Sequence, residues 1–460
     1  MTDAPAQLTL EQWDARYLQL EQAGMVQPRY GGPLSRHLHD GDYRLAKLLY
    51  DNSPAALHLW NFLLTEEDRL REARQSGKLI VGTMKDLWTV PILAYAFDNM
   101  AAFYPDGAWW IPCVMELSAG LLEVADSLGI DESFCPVRAM LGAFVTGCHF
   151  PVPDLLVCSA GAVCDDFSAI AQRLEDLGHK ILWWEIPHRR TPDEGELVVR
   201  LPGGGAAPKR QITLVEAELM RVKSALEALA GQSLDESALN ESIRKVNQIR
   251  RCLAELRELA YTAERCPMPA LEMLIAEMLA LHFCSDRDEC LVVLEALLLE
   301  VRRRVTAGVG LLEADAARLF WINPVADLRV MNLLEACGGR ICGTEYLFTH
   351  ALDTIAEDVP PIEALAAAAL ADPMVGSSLE RAQRICRDIV RFGAEALVIS
   401  RIPGASHCAL EGWAIAVVVQ QRSGIPVVEV EVPPLADAVT PALRTRLEAL
   451  IETVKQRRRT

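Results

Sequence analysis

Nowhere does the sequence offer an uncharged apolar run of the roughly 18–20 residues that a membrane-spanning helix requires. The densest apolar stretch, LVVLEALLLEV at 291–301, is short and carries two glutamates. No secretory signal is visible in MTDAPAQLTLEQWDARY, so the expected location is cytoplasmic, with no membrane partner. Bases are in deficit: 45 Lys and Arg stand against 63 Asp and Glu, a formal charge of −18. Such a surface repels phosphate backbones and argues against nucleic acid as a partner. No Walker motif is present, so ATP is not expected to be hydrolysed by this chain. The GGG of LPGGGAAPK (201–209) does not sit between a strand and a helix, so it reads as a flexible break and not as a dinucleotide loop. No repeat appears at solenoid periods.

What is present is a large apolar fraction, 51% of 460 residues, enough for two or three well-buried domains. Residues 1–77 read as a mainly helical N-terminal region. From Lys78 the pattern changes to short apolar runs with strand character, KLIVGTM, GAWWIP, DLLVCSA and KILWWEIP, separated by helical stretches such as PVRAMLGAFVTG and DDFSAIAQRLEDLG. Alternation of this kind predicts βαβ units and a mostly parallel sheet. Residues 209–315 carry helical periodicity almost throughout. A second alternation, RLFWINP, GGRICGTEY, EALVISR and IPVVEVEVP, fills 316–460, with helices at 378–392 and 409–423 and a basic tail, KQRRRT, expected to fray. The predicted class is therefore α/β: two Rossmann-like or flavodoxin-like parallel-sheet domains, at 78–208 and 316–460, with a helical N-terminal region and a helical middle segment.

Thirteen cysteines, an odd number in a chain without an export signal, argue against a disulfide framework. Three of them stand where helices begin, the place where parallel sheets gather their ligands. Cys135 precedes Pro136, a residue favoured at the first helical position. Cys164 follows the strand DLLVCSA, and Cys408 follows EALVISR and a Pro-Gly loop. Helix N-termini favour anions, so each sulfur is expected as a thiolate, the metal-binding form. Three such positions suggest one shared soft-metal site, for which an iron–sulfur cluster is the natural occupant. The spacings, 29 and then 244 residues, fit no compact zinc-ribbon or ferredoxin pattern. Cys252, Cys284, Cys290 and Cys386 lie in helical stretches and Cys158 in an apolar strand, so these five read as small core hydrophobes. Cys113, ahead of a helix, is a further candidate ligand. Cys148, Cys337 and Cys342 flank loops and are left undecided.

Cys135-Pro136, Cys164-Asp165 ahead of an amphipathic helix, WWEIP after the next strand, and Cys408 followed by IPVVEVE make one ordered series. Over roughly residues 78–440 it resembles the 2-hydroxyacyl-CoA dehydratase and benzoyl-CoA reductase family of iron–sulfur proteins. The resemblance implies two α/β domains around a 4Fe-4S cluster held by three cysteines, here Cys135, Cys164 and Cys408, with one iron open to solvent or substrate. It also implies a separate ATP-hydrolysing iron–sulfur activator as electron donor, a homologous partner subunit, and an acyl-CoA thioester as substrate. One branch carries an 8Fe-9S double cubane with six cysteines. Two regions expected to supply them, KLIVGTMKDLW and ADPMVGSSLE, have none, so a single cubane is favoured; Cys342 and Cys113 are the substitutes that keep the double cubane open.

Other residues carry chemistry beside this frame. Glu185, at the end of a Trp-rich strand, is a candidate general acid or base if burial raises its pKa, and otherwise a structural carboxylate. His188, Arg189 and Arg190 form a basic knot suited to CoA phosphates, or a solvated loop. His407, beside Cys408, is a candidate hydrogen-bond donor to cluster or substrate. The leading reading is a catalytic iron–sulfur subunit for ATP-driven, low-potential dehydration of a 2-hydroxyacyl-CoA or reduction of an aromatic acyl-CoA. Its rivals are an accessory or electron-relay subunit, a double-cubane reductase of small molecules, and an iron-free enzyme with a cysteine nucleophile and His407 as base.

Overall fold

The computed structural model describes residues 4–25, 29–38, 44–84, 89–107, 118–279, 285–434 and 437–460, with the side chains of all of these except 118–119, 349–350 and 406–410. Two four-stranded parallel sheets organise the chain. The first holds β1 (Leu79–Met84), β2 (Met100–Phe103), β3 (Leu155–Gly161) and β4 (Ile181–Ile186) in the order β2-β1-β3-β4; the second holds β5 (Ala317–Ile322), β6 (Gly339–Glu345), β7 (Ala396–Arg401) and β8 (Val427–Glu431) in the order β6-β5-β7-β8. The two halves thus repeat one strand order, and the α/β class read from the sequence is observed. The central strands are near-continuous apolar runs, buried on both faces as parallel strands covered by helices must be. The partly exposed β4 and β8 close one edge of each sheet.

Between the sheets lie four long helices, α1 (Lys209–Ala230), α2 (Glu236–Thr262), α3 (Ala270–Leu279) and α4 (Arg287–Thr306). The periodic apolar face of α2, Leu239, Ile243, Val246, Leu253 and Leu256, is buried, and its start is capped by Asp235, which accepts from Ser237 N. The helix Pro54–Leu64 packs its apolar face on α3 and α4. Asp51, in a two-residue ribbon with Gln7–Leu8, accepts both terminal nitrogens of buried Arg304 at 2.5 and 3.0 Å. The N-terminal region is therefore locked to the middle segment by a buried ion pair as well as by apolar contact.

Two local expectations are corrected, and a third lies outside the described residues. GAWWIP was expected as a strand; all but Gly107 of it lies outside the described residues, and the second strand of the first sheet is Met100–Phe103. LPGGGAAPK is an ordered antiparallel ribbon, Val198–Arg200 with Ala206–Pro208, and not a flexible break. The basic tail does not fray at Arg458: this residue donates to Glu395 at 2.6 and 2.5 Å, and Lys455 pairs with Asp315. Among the described residues, no helix is long and apolar enough to cross a membrane.

Candidate metal centre

In a sheet of this order the crevice lies where the strand sequence reverses, beyond the carboxyl ends of the two central strands. The loop after β3 tightens there. Gly161 has φ +101°, and a Cβ on it would meet Ile186 O at 2.3 Å, so the chain can turn against β4 only without a side chain. Ala162, Val163 and Cys164 then run, buried, into α5 (Asp165–Asp176), with Cys164 at its N-cap (φ −56°, ψ 128°). In the second half β7 leads through Ile402–Ala405 into α6 (Ser406–Ser423), whose first turn carries Cys408. Cys164 and Cys408 therefore occupy the same topological place in the two halves. Cys135 comes from the crossover between β2 and β3. It is the N-cap of a 3-10 turn, Pro136–Arg138, that continues as the helix Ala139–Thr146.

Two contacts draw these segments together. Asp166, buried in the first turn of α5, accepts from Cys164 Sγ through Oδ2 and from Cys135 N through Oδ1, both at 3.4 Å. Gly404, with φ +80°, brings the approach to α6 so close that a Cβ would lie 2.4 Å from Phe134 O and 2.7 Å from Glu132 O, the peptides just before Cys135. Helix α6 also packs on α5. Arg138, beside Cys135, is buried; it donates to Phe134 O at 3.2 Å and pairs with Asp126, which fixes the turn from behind.

At Cys164 burial opposes the helix terminus. Burial pushes its thiol up to about 12, and the Asp166 carboxylate adds to the rise. Desolvation disfavours the ionised sulfur here, and a bound cation would favour it. Among the described residues, no group of three or more His, Cys, Asp or Glu is placed to hold a metal ion; the side chains of His407 and Cys408 lie outside them. The donor set nevertheless suits a soft metal: two cysteines share one carboxylate, and the helix bearing the third is led in against the first.

The other predicted residues fall elsewhere. Glu185 is exposed on β4 and lacks the burial a catalytic role demanded; Trp184 and Ile186 take the inward positions. His188 is exposed, and its carbonyl accepts from Gln211 Nε2 at 2.7 Å. Arg189 is a tie between the halves, bonding Leu370 O and Glu380 Oε2, and its backbone N–H donates to Val375 O. Arg190 forms a fork with both oxygens of Glu196 at 2.6 Å each. Cys158, Cys252, Cys290 and Cys386 are buried as core residues; Cys342 is buried inside β6, Cys337 half-buried at a helix end, and Cys148 exposed. Cys113 and Cys284 lie outside the described residues. Cys148 lines a cavity of about 1040 Å³ at the far end of the Ala139–Thr146 helix, together with Arg29, Tyr30, Asp68 and His149.

Sequence reasoning passed over a buried network at the carboxyl ends of the second sheet. Arg381, on the helix α7 (Ser378–Phe392), donates to Glu345 at the end of β6, to Asn323 Oδ1 after β5 at 2.6 Å, and to Glu411 on α6 at 2.7 Å. Asn323 (φ +68°) and Leu347 (φ +71°) hold left-handed backbone beside it, a conformation non-glycine residues keep only where their surroundings impose it. The capping box Ser377–Glu380 that starts α7 was readable; its long-range partners were not.

Among known families, a family model described as 2-hydroxyglutaryl-CoA dehydratase, D-component, matches residues 91–454. No curated protein matches the chain.

Proposed function

Since the chain belongs to the 2-hydroxyglutaryl-CoA dehydratase D-component family, we propose that it carries the site at which a 2-hydroxyacyl-CoA thioester loses water. It is a dehydratase-type component of an acyl-CoA dehydratase system and works with at least one other component. The chemistry explains why an unusual site is needed. Water must leave with the 2-hydroxyl and a hydrogen from C3, yet a thioester carbonyl acidifies only hydrogens on C2. An ordinary base cannot begin such an elimination.

A single 4Fe-4S cluster held by Cys135, Cys164 and Cys408 would supply the remedy, a low-potential electron for the thioester. The observation that carries this reading is the junction at Asp166 and Gly404, which draws together three cysteine-bearing segments that are remote in sequence. The chain's own part is positioning and exclusion. Cys164 and Asp166 are buried, and the N-cap conformations of Cys135 and Cys164 are set by the helices they start. A dry crevice strengthens every electrostatic contact made in it and keeps water from reactive species. The electrons would come from a separate ATP-hydrolysing iron–sulfur activator, since this sequence has no Walker motif.

The test is anaerobic purification with iron and acid-labile sulfide measured per chain, for the wild type and for Cys135→Ser, Cys164→Ser and Cys408→Ser. About four irons per wild-type chain, lost in all three variants, is the expected result. Absence of iron after reconstitution, or variants that keep the full complement, would overturn the assignment. A second reading, an accessory component that supports a homologous catalytic subunit, is favoured by one observation: Arg189 and Arg190 already bind protein carboxylates. Turnover by this chain with activator alone would dismiss it.

A further inference from the structure

We propose that Asp166 is a positioning residue for the segments that carry Cys135 and Cys164 and that its charge holds the reduction potential of what their sulfurs bind at a low value. The inference rests on the cluster assignment above and deepens it. Under that assignment the three helix starts that carry the cysteines would face one site, which presents a difficulty. Each contributes positive potential, which favours the more negative, reduced form of any redox group there and so raises its potential. A source of strongly reducing electrons requires the opposite.

Asp166 supplies the counterweight. Its carboxylate lies 3.4 Å from Cys164 Sγ, a contact the thiol itself donates; once that sulfur is a ligand and has lost its proton, the same proximity leaves a buried, poorly screened negative charge beside it, which disfavours added electrons. Its other oxygen accepts from Cys135 N–H, also at 3.4 Å, and so ties the start of the Cys135 turn to α5. Backbone donors to cluster sulfurs raise potentials, and net charge and hydrogen bonding are the protein's main means of tuning them. Its neighbour Asp165 lies in the same helical turn but is exposed, so of the two acids only Asp166 acts on the sulfurs from within the protein.

The experiment compares the reconstituted full-length wild type with Asp166→Asn and Asp166→Glu. Iron per chain is measured first, and then the midpoint potential by a redox titration followed by electron paramagnetic resonance. The asparagine keeps an acceptor for Cys135 N–H but no charge; it is expected to hold iron at a potential clearly above wild type. The glutamate restores the charge and is expected near the wild-type potential. An asparagine variant that retains iron at an unchanged potential overturns the role of Asp166 and leaves the cluster standing. A glutamate variant displaced upward as far as the asparagine overturns it too. A wild type that takes up no iron overturns the cluster assignment and this inference together.

Discussion

Gly404 shows how much a single residue contributes to the centre. Its φ of +80° is left-handed, and its missing side chain lets the approach to α6 touch the peptide of Phe134. Gly404→Ala combines backbone strain with a clash against a carbonyl oxygen. The expected result is a loss of about 1–3 kcal/mol in stability, with reduced iron uptake; thermal unfolding and iron analysis check both. Much at this scale was legible. Pro136 marked the turn behind Cys135, and small-residue loops marked those before Cys164 and Cys408. Asp166 was not legible, because an acid in the first helical turn is already explained by the helix dipole and gives no reason to look further. For Glu185 two readings were open, and side-chain alternation bears on them: with Trp184 buried, its neighbour on β4 is exposed. Cys266 was passed over; it is buried, and its thiol approaches Met268 O at 3.2 Å.

At the scale of elements, Arg381 joins four of them: α7, which carries it, β6 through Glu345, the turn after β5 through Asn323, and α6 through Glu411. Its guanidinium is buried, so removing it strands two carboxylates. Arg381→Met is expected to cost about 3–5 kcal/mol, seen as a lower midpoint in denaturant unfolding. Because Glu411 lies one turn beyond Cys408, iron uptake is expected to fall as well. A variant of wild-type stability would show that the network carries no weight. The strands of both sheets announced themselves as apolar runs, and α7 as a helical stretch over the same 378–392. The short β2, MAAF, did not, because four small residues carry too little pattern. The ribbon around Gly203 was hidden for a similar reason, since consecutive glycines look the same in a tight turn and in a loose linker.

Across the whole molecule, the N-terminal region, the middle helices and the second half meet around buried acids. Glu272 accepts from Asp51 N and Trp60 Nε1, while its second oxygen has no hydrogen-bond partner. Burial, with the Asp51 charge behind it, raises its pKa from 4.5 to about 8, and burial raises Glu335 to about 7. The folded form therefore holds protons that the unfolded chain releases above pH 4.5. Stability that is fully present below pH 4.5 is lost as pH rises toward 8. Glu272→Gln removes one such proton, so its stability is expected to fall less between pH 5 and pH 8 than that of wild type, by on the order of 1–3 kcal/mol. Equal losses in urea unfolding at the two pH values would refute the link.

The repeated strand order has a consequence for how the molecule is made. Cys135 and Cys164 belong to the half that leaves the ribosome first, and Cys408 follows only after the middle helices and most of the second sheet. For that interval the early half must keep an incomplete set of sulfurs from reacting with oxidants or stray metals. Cys164 is suited to the wait: the strand and loop before it and its bond partner Asp166 all belong to the half made first, and a buried, protonated thiol is a poor nucleophile. The burial that opposes a free thiolate in the finished fold would, during synthesis, act as a chemical safety catch.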